Sequence, residues 1–172
     1  MSPFDEKLRL IELIVFDVDG TMTDGGTFYS DQGVALKRFD IRDGMGIVLL
    51  HKAGLRTAII TSEQTQLVQK RAETLKIDII IQGSRNKLAS LSSLSDQLQI
   101  PMQHIAYIGD DVNDAQCLQV VGFSMAPADA HALIRNTVHY VSEYPGGQGA
   151  VRELCDLILE SKNMSITLPE DW

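Results

Sequence analysis

Residues 10–21 read LIELIVFDVDGT, an apolar run that stops at Asp17, Asp19 and Gly20. A short apolar run bounded by polar residues predicts a buried strand, here over 10–18. Side chains alternate between the faces of a strand, so Asp17 and Asp19 are expected to point the same way. Alone, such a pair is a weak signal, because acids of this kind are common in turns. Its meaning depends on what the rest of the chain brings beside it.

Outward from this stretch, short apolar runs alternate with helical periods. The pattern predicts a β-hairpin of 27–30 and 34–39 around the turn Ser30-Asp31-Gln32-Gly33. It then predicts a helix from an Asp43 N-cap to a Gly54 C-cap, a strand over 56–60, a helix over 63–75 and a strand over 77–81. Leu88, Leu91, Leu94 and Leu98 stripe a helix over 86–99 and are read as core. A strand over 105–108, a helix over 113–121 and a strand over 122–126 follow. A short helix near 130–135, a strand near 138–141 and a last helix from about 149 to 160 complete the pattern.

Strands separated by helices imply an α/β fold, a parallel sheet covered on both faces. Residues 1–172 are read as one domain, with a core over about 10–160 and a polar, mobile tail over 161–172. In such sheets ligands bind beyond the carboxyl ends of the strands, near the point where strand order reverses.

Those ends carry a consistent chemistry. After the first strand come Asp17 and Asp19; after the second main strand, Thr61 and Ser62; after the third, Gly83 and then Lys87; after the fourth, GDDVND with Asp110, Asp111, Asn113 and Asp114. Crowding several carboxylates is costly without a compensating charge. A hard cation with oxygen ligands offsets that cost, and magnesium is the usual one where phosphate is handled. One of Asp17 and Asp19 can then attack phosphorus, and the other can move a proton. Thr61, Ser62 and Lys87 suit the phosphoryl oxygens, where positive charge and oriented donors stabilise the transition state. Gly20 and Gly109 leave room for close backbone approach.

Each piece has a plainer reading. Thr61-Ser62 before a helix is an N-cap candidate, Lys87 a solvated lysine, and Asp110 to Asp114 a calcium-type loop, although without the alternating ligands and terminal glutamate of an EF-hand. The ordered combination, each group after an apolar run, favours a phosphoryl site over these.

Composition bounds the rest. The chain has 172 residues, 44% of them hydrophobic, which suffices for one core. No apolar run approaches the roughly 20 residues of a spanning helix, and MSPFDEKLRL lacks a signal-peptide core. A cytoplasmic protein is expected. A net charge of −8 argues against nucleic acid and anionic membrane as partners. Cys117 and Cys155, in no CxxC motif, are expected to be reduced core residues.

FDVDGTMTDG, the strand-end Thr61, Lys87 and GDDVND resemble the four motifs of the haloacid dehalogenase phosphatases. DGGTFYSDQGVALKRFDIRDGMGI and YPGGQGAVRELCDLIL resemble the capless branch that dephosphorylates 3-deoxy-2-keto sugar acids. The resemblance spans about 10–160. It implies a Rossmann-like fold with a hairpin flap over about 22–39 in place of a cap domain, a magnesium cofactor and a homotetramer whose flaps reach neighbouring sites. It implies Asp17 as nucleophile and metal ligand, and Asp19 as general acid/base binding metal through its carbonyl. Asp110 would be a direct ligand, and Asp111 and Asp114 would act through water or by holding Lys87. Thr61, Ser62 and Lys87 would hold the phosphoryl group.

The implied substrate is 3-deoxy-D-manno-octulosonate 8-phosphate, a lipopolysaccharide precursor, or a nine-carbon 9-phosphate of the neuraminate type. Octulosonate enzymes usually carry Gly-Arg where Ser62-Glu63 stands, and many carry arginine at Gln148. Glu63 thus resembles the nine-carbon branch and is a candidate substrate contact; a first-turn acid on the helix dipole is the alternative. Arg71 is a second candidate, facing a neighbour's site or solvent. Two other functions fit less well. A phosphorelay receiver would place its phosphorylated aspartate mid-chain, where none follows the middle strands. A non-catalytic oligomerisation module would have eroded motifs, and here all are present.

Overall fold

A computed structural model describes residues 4–164 and, within these, all side chains except those of Val34 and Ala35. The expected mobile tail therefore lies mostly outside the described residues. The stretch that opens the fold forms β1 (Leu13–Phe16), buried along its whole length. It is shorter than the predicted strand at both ends, and at its start Leu10 and Ile11 are bonded to the end of a preceding helix instead. A short helix α1 (Asp5–Arg9), not foreseen, precedes it, and Leu10 is exposed.

After β1 come the hairpin strands β2 (Thr23–Ser30) and β3 (Gly33–Phe39), then α2 (Ile41–Lys52) and β4 (Arg56–Ile60). Next are α3 (Gln66–Leu75), β5 (Ile79–Ile81), α4 (Lys87–Leu98) and β6 (Ile105–Ile108). α5 (Ala115–Val120), β7 (Phe123–Ala126), α6 (Ala132–Arg135), β8 (Tyr140–Val141) and α7 (Ala150–Ser161) complete the order. β2 and β3 pair antiparallel as a separate ribbon. The other strands form one six-stranded sheet, β5-β4-β1-β6-β7-β8, parallel throughout.

The period of two in β1 divides the core between the faces of this sheet. Ile14 and Phe16 pack with Ile47 and Leu50 of α2 and Leu154 and Ile158 of α7. Leu13 and Val15 pack with Leu91 and Leu94 of α4 and Cys117 and Leu118 of α5. Both cysteines are free and buried, as expected. From β1 the chain steps to β4 and β5 on one side, then returns to β6 on the other, so order reverses beside β1. Among the described residues only the hairpin stands between β1 and α2, where a cap domain would otherwise be inserted.

Two helix starts differ from expectation. α2 begins three residues early because Asp40, not Asp43, is its N-cap, accepting from the Arg42 and Asp43 amides. Asp43 instead reaches the start of α7, where its Oδ1 accepts from the Arg152 amide at 2.8 Å. α3 begins at Gln66 with Thr65 as its cap, so neither Thr61 nor Ser62 caps it.

Candidate active site

Asp17 lies one residue past β1 and extends the ladder, its amide donating to the Ile108 carbonyl at 3.0 Å. The side chain is buried, 4% exposed. Lys87 opens α4 behind the N-cap Asn86, whose side chain accepts from the Ala89 amide. The Lys87 side chain runs to the carboxyl end of β1, in the middle of the sheet. Its Nζ donates to Asp17 Oδ1 at 2.5 Å and Asp114 Oδ1 at 2.7 Å, all three side chains being buried. The solvated-lysine reading of Lys87 is thereby excluded. Tyr107 Oη adds a donor to Asp114 Oδ1 at 2.7 Å. Neither Tyr107 nor this link was singled out in the sequence, where a tyrosine inside an apolar strand reads as core.

Asp17, Asp110 and Asp114 each bring an oxygen within 4.8 Å of the others. Burial, reinforced by Asp114, pushes the Asp17 carboxyl well above the usual carboxylate range despite Lys87. Burial and Asp114 likewise push Asp110 up to about 6. Burial alone would lower the Lys87 ammonium, but Asp17 and Asp114 more than reverse this. Asp114 Oδ2 is buried and has no hydrogen-bond partner. Three acids around one lysine, with a buried oxygen unsatisfied, form a donor set that fits a hard divalent cation.

The glycines serve these acids. A Cβ on Gly109 would stand 2.5 Å from Asp114 Cγ. One on Gly20, whose φ is +86°, would stand 2.1 Å from Asp110 Oδ2. The room foreseen for phosphate or metal is room for carboxylates. The glycine loop near 146 closes the other side: Gly147 donates to the Thr21 carbonyl at 2.9 Å, and a Cβ on Gly146 would meet the Gly20 carbonyl oxygen at 1.9 Å.

Asp17, Asp19, Thr61, Ser62, Glu63, Asp110, Asp111 and Asn113 line one cleft of about 230 Å³. Thr61 is buried just past β4, its amide on the Ile81 carbonyl. Ser62 Oγ accepts from Asn113 Nδ2 at 3.4 Å. Asp111 is exposed and accepts from the Val112 amide at 2.7 Å; its carboxylate does not hold Lys87, whereas that of Asp114 does.

Asp17 and Asp19 share the cleft but take different partners. Asp19 pairs with Lys37 of β3, which pairs also with Glu63. The Lys37 side chain is 1% exposed. Burial raises the Asp19 carboxyl, and Lys37 counters part of that rise. Glu63 is no first-turn acid of α3, since it precedes that helix by three residues and faces the hairpin. Lys37 was missed because its flanking pattern is inverted: Leu36 is 62% exposed while the lysine turns inward. Arg71 lies elsewhere, its Nη2 on the Asp40 carbonyl at 2.8 Å and its guanidinium over the Phe39 ring. Within this chain it is half-buried against the start of α2 and does not line the cleft.

A parallel sheet with acids at the order reversal and a lysine fixed between two of them is the arrangement expected of a haloacid dehalogenase-type hydrolase. The chain belongs to the haloacid dehalogenase-like hydrolase family, whose sequence model matches residues 56–154. Within that family it is similar to the 3-deoxy-D-manno-octulosonate 8-phosphate phosphatase of Yersinia pestis, 46% identical over 154 residues, covering 90% of this chain and 82% of the relative. The same phosphatase of Escherichia coli K12 is 41% identical over 167 residues, covering 93% and 89%. The Moraxella catarrhalis phosphatase, solved with magnesium, phosphate and 3-deoxy-D-manno-octulosonate (KDO), superposes with a TM-score of 0.92 at 38% identity, covering 95% of this chain and 94% of that one. A cobalt-bound Haemophilus influenzae relative gives a TM-score of 0.89 at 35% identity, covering 91% and 92%. The receiver-domain alternative is excluded by this membership.

Proposed function

We propose that the chain is a magnesium-dependent phosphomonoesterase that converts 3-deoxy-D-manno-octulosonate 8-phosphate to the free sugar acid and phosphate. The observation that carries it is the buried Asp17 carboxylate held by Lys87 at the sheet's reversal point, in a chain this similar to octulosonate phosphatases. Asp17 and Asp110, with the main-chain carbonyl of Asp19, would hold the metal, and Asp114 stands close enough to join or orient the set. Magnesium bound there supplies positive charge against the phosphoryl oxygens.

Asp17 attacks phosphorus, the ester P–O bond breaks, and Asp19 gives its proton to the departing sugar oxygen. Water then attacks the aspartyl-phosphate while Asp19 takes its proton, releasing phosphate and restoring Asp17. Thr61, Ser62 and Lys87 bind the phosphoryl oxygens. Asp114 holds Lys87 in place.

The exposed Phe28, Tyr29 and Leu36 on the hairpin suit packing against another copy, which supports the homotetramer and the flap's contact with neighbouring sites. The single-domain reading and a cytoplasmic location accompany this function. A second substrate, a nine-carbon 9-phosphate, is favoured by one observation: Glu63 presents an acid to the cleft where an arginine is usual for the octulosonate enzymes.

Phosphate release from the eight-carbon 8-phosphate and nine-carbon 9-phosphates, with and without magnesium, tests these readings together. Octulosonate phosphate is expected to give the higher kcat/KM; preference for nine-carbon substrates would shift the assignment to the second reading. Asp17→Asn is expected to lose on the order of 10⁴-fold or more. A variant as active as wild type would overturn the mechanism, and an inactive wild type would leave an oligomerisation module.

A further inference from the structure

We infer that Lys37, carried by the hairpin of the same chain, is the positioning residue for Asp19 and fixes which of its oxygens delivers the proton. The inference rests on the phosphatase reading above and deepens it. Lys37 Nζ donates to Asp19 Oδ1 and, on its other side, to Glu63 Oε2. An ammonium is a donor only, so Oδ1 is the acceptor in this contact, and a proton on that oxygen would weaken the contact, because a carboxylic hydroxyl oxygen accepts less well than a carbonyl or carboxylate oxygen. Oδ2 is left as the atom that carries the proton when the carboxyl is neutral and that takes one up when it is charged. A lysine on a four-carbon stem would otherwise be mobile, but this one has a 1% exposed side chain and two anchors. Glu63 keeps the ammonium from following the Asp19 proton toward the leaving oxygen.

The cleft therefore has two lysine-centred halves. Lys87 serves the reacting carboxylate and the phosphoryl group. Lys37 serves the carboxyl that acts on the leaving group and ties the hairpin to it. The second half matters only when the departing oxygen needs a proton. A sugar hydroxyl leaves poorly as an alkoxide, whereas p-nitrophenolate leaves without protonation.

The experiment measures kcat/KM with magnesium for octulosonate 8-phosphate and p-nitrophenyl phosphate in wild type, Lys37→Met and Lys37→Arg. This parameter reports the first irreversible step, so it isolates phosphoryl transfer to Asp17 from the later hydrolysis. In Lys37→Met the ratio of sugar phosphate to aryl phosphate is expected to fall by on the order of 100-fold, the lower end of what general acid catalysis supplies. Lys37→Arg is expected to restore much of the ratio, because it keeps a donor and a charge there. A merely structural lysine would lower both substrates alike, and an unchanged ratio overturns the inference whatever the common loss. If Lys37→Met does not fold, Lys37→Gln gives the same reading of the ratio. A wild type inactive on both esters refutes the phosphatase reading instead, so the two failures are distinguishable.

Discussion

Replacing Lys87 by methionine removes one ammonium and leaves two buried carboxylates facing each other. In the native site that ammonium bridges Asp17 at 2.5 Å and Asp114 at 2.7 Å, and none of the three side chains is more than 5% exposed. Deleting one partner of a buried ion pair costs about 3–5 kcal/mol, because the remaining charge is uncompensated. At about 2–4 °C per kcal/mol for a chain of this length, Lys87→Met is expected to melt roughly 10 °C below wild type in EDTA. The pH dependence has a definite sign. The raised Lys87 pKa keeps the ammonium charged throughout pH 5 to 8, so the lysine's own titration adds no pH dependence there. Without the ammonium, the already raised carboxyls of Asp17 and Asp110 rise further, and protonating them relieves the repulsion. Stability of the variant is then present at low pH and lost as pH climbs, so the gap widens from pH 5 to 8. Calorimetry at both pH values decides the matter. A variant melting within about 2 °C of wild type, or a gap that narrows as pH rises, would refute the assignment of Lys87 to charge compensation.

Asp43→Asn tests the acid at the start of α7: burial pushes this carboxyl from 3.8 up to about 6, so its proton stabilises the fold at low pH and that contribution is lost as pH climbs through about 6. Relative to wild type, the asparagine variant is expected to gain up to about 3 kcal/mol between pH 4 and 7.5 in urea unfolding, and a pH-independent difference would contradict this. Gly146→Ala places a Cβ 1.9 Å from the Gly20 carbonyl oxygen; a loss of about 1–3 kcal/mol is expected, with turnover reduced because Gly20 is the chain neighbour of Asp19, and wild-type melting and turnover would show that the two loops yield freely.

The sheet was legible in the sequence because parallel strands are buried on both faces and read as continuous apolar runs. Strands at 56–60 and 105–108 match β4 and β6 for that reason. Helix starts were less legible, since Asp40 and Asp43 are equally good caps by type and only the packing of α7 draws Asp43 away. The half of the site around Asp17 and Lys87 was legible because its residues lie between the carboxyl end of a strand and the first turn of the helix that follows. The Asp19 half was not: Lys37 sits in an exposed ribbon whose faces are set by contact with the cleft, and local alternation there runs the wrong way.

This difference in legibility follows the division of labour in the cleft. Asp17, Asp114 and Lys87 are set by the sheet and the first turn of α4, so their geometry comes with the core, and losing Lys87 is felt as stability. Asp19 and Glu63 take their cation from a hairpin outside the main sheet. Few core contacts depend on that ribbon, and its outward Phe28, Tyr29 and Leu36 leave it free to answer to a neighbouring copy. Perturbing Lys87 should therefore register first in melting and perturbing Lys37 first in leaving-group dependence. If both lysines registered alike in both measurements, the cleft would be one electrostatic unit rather than two.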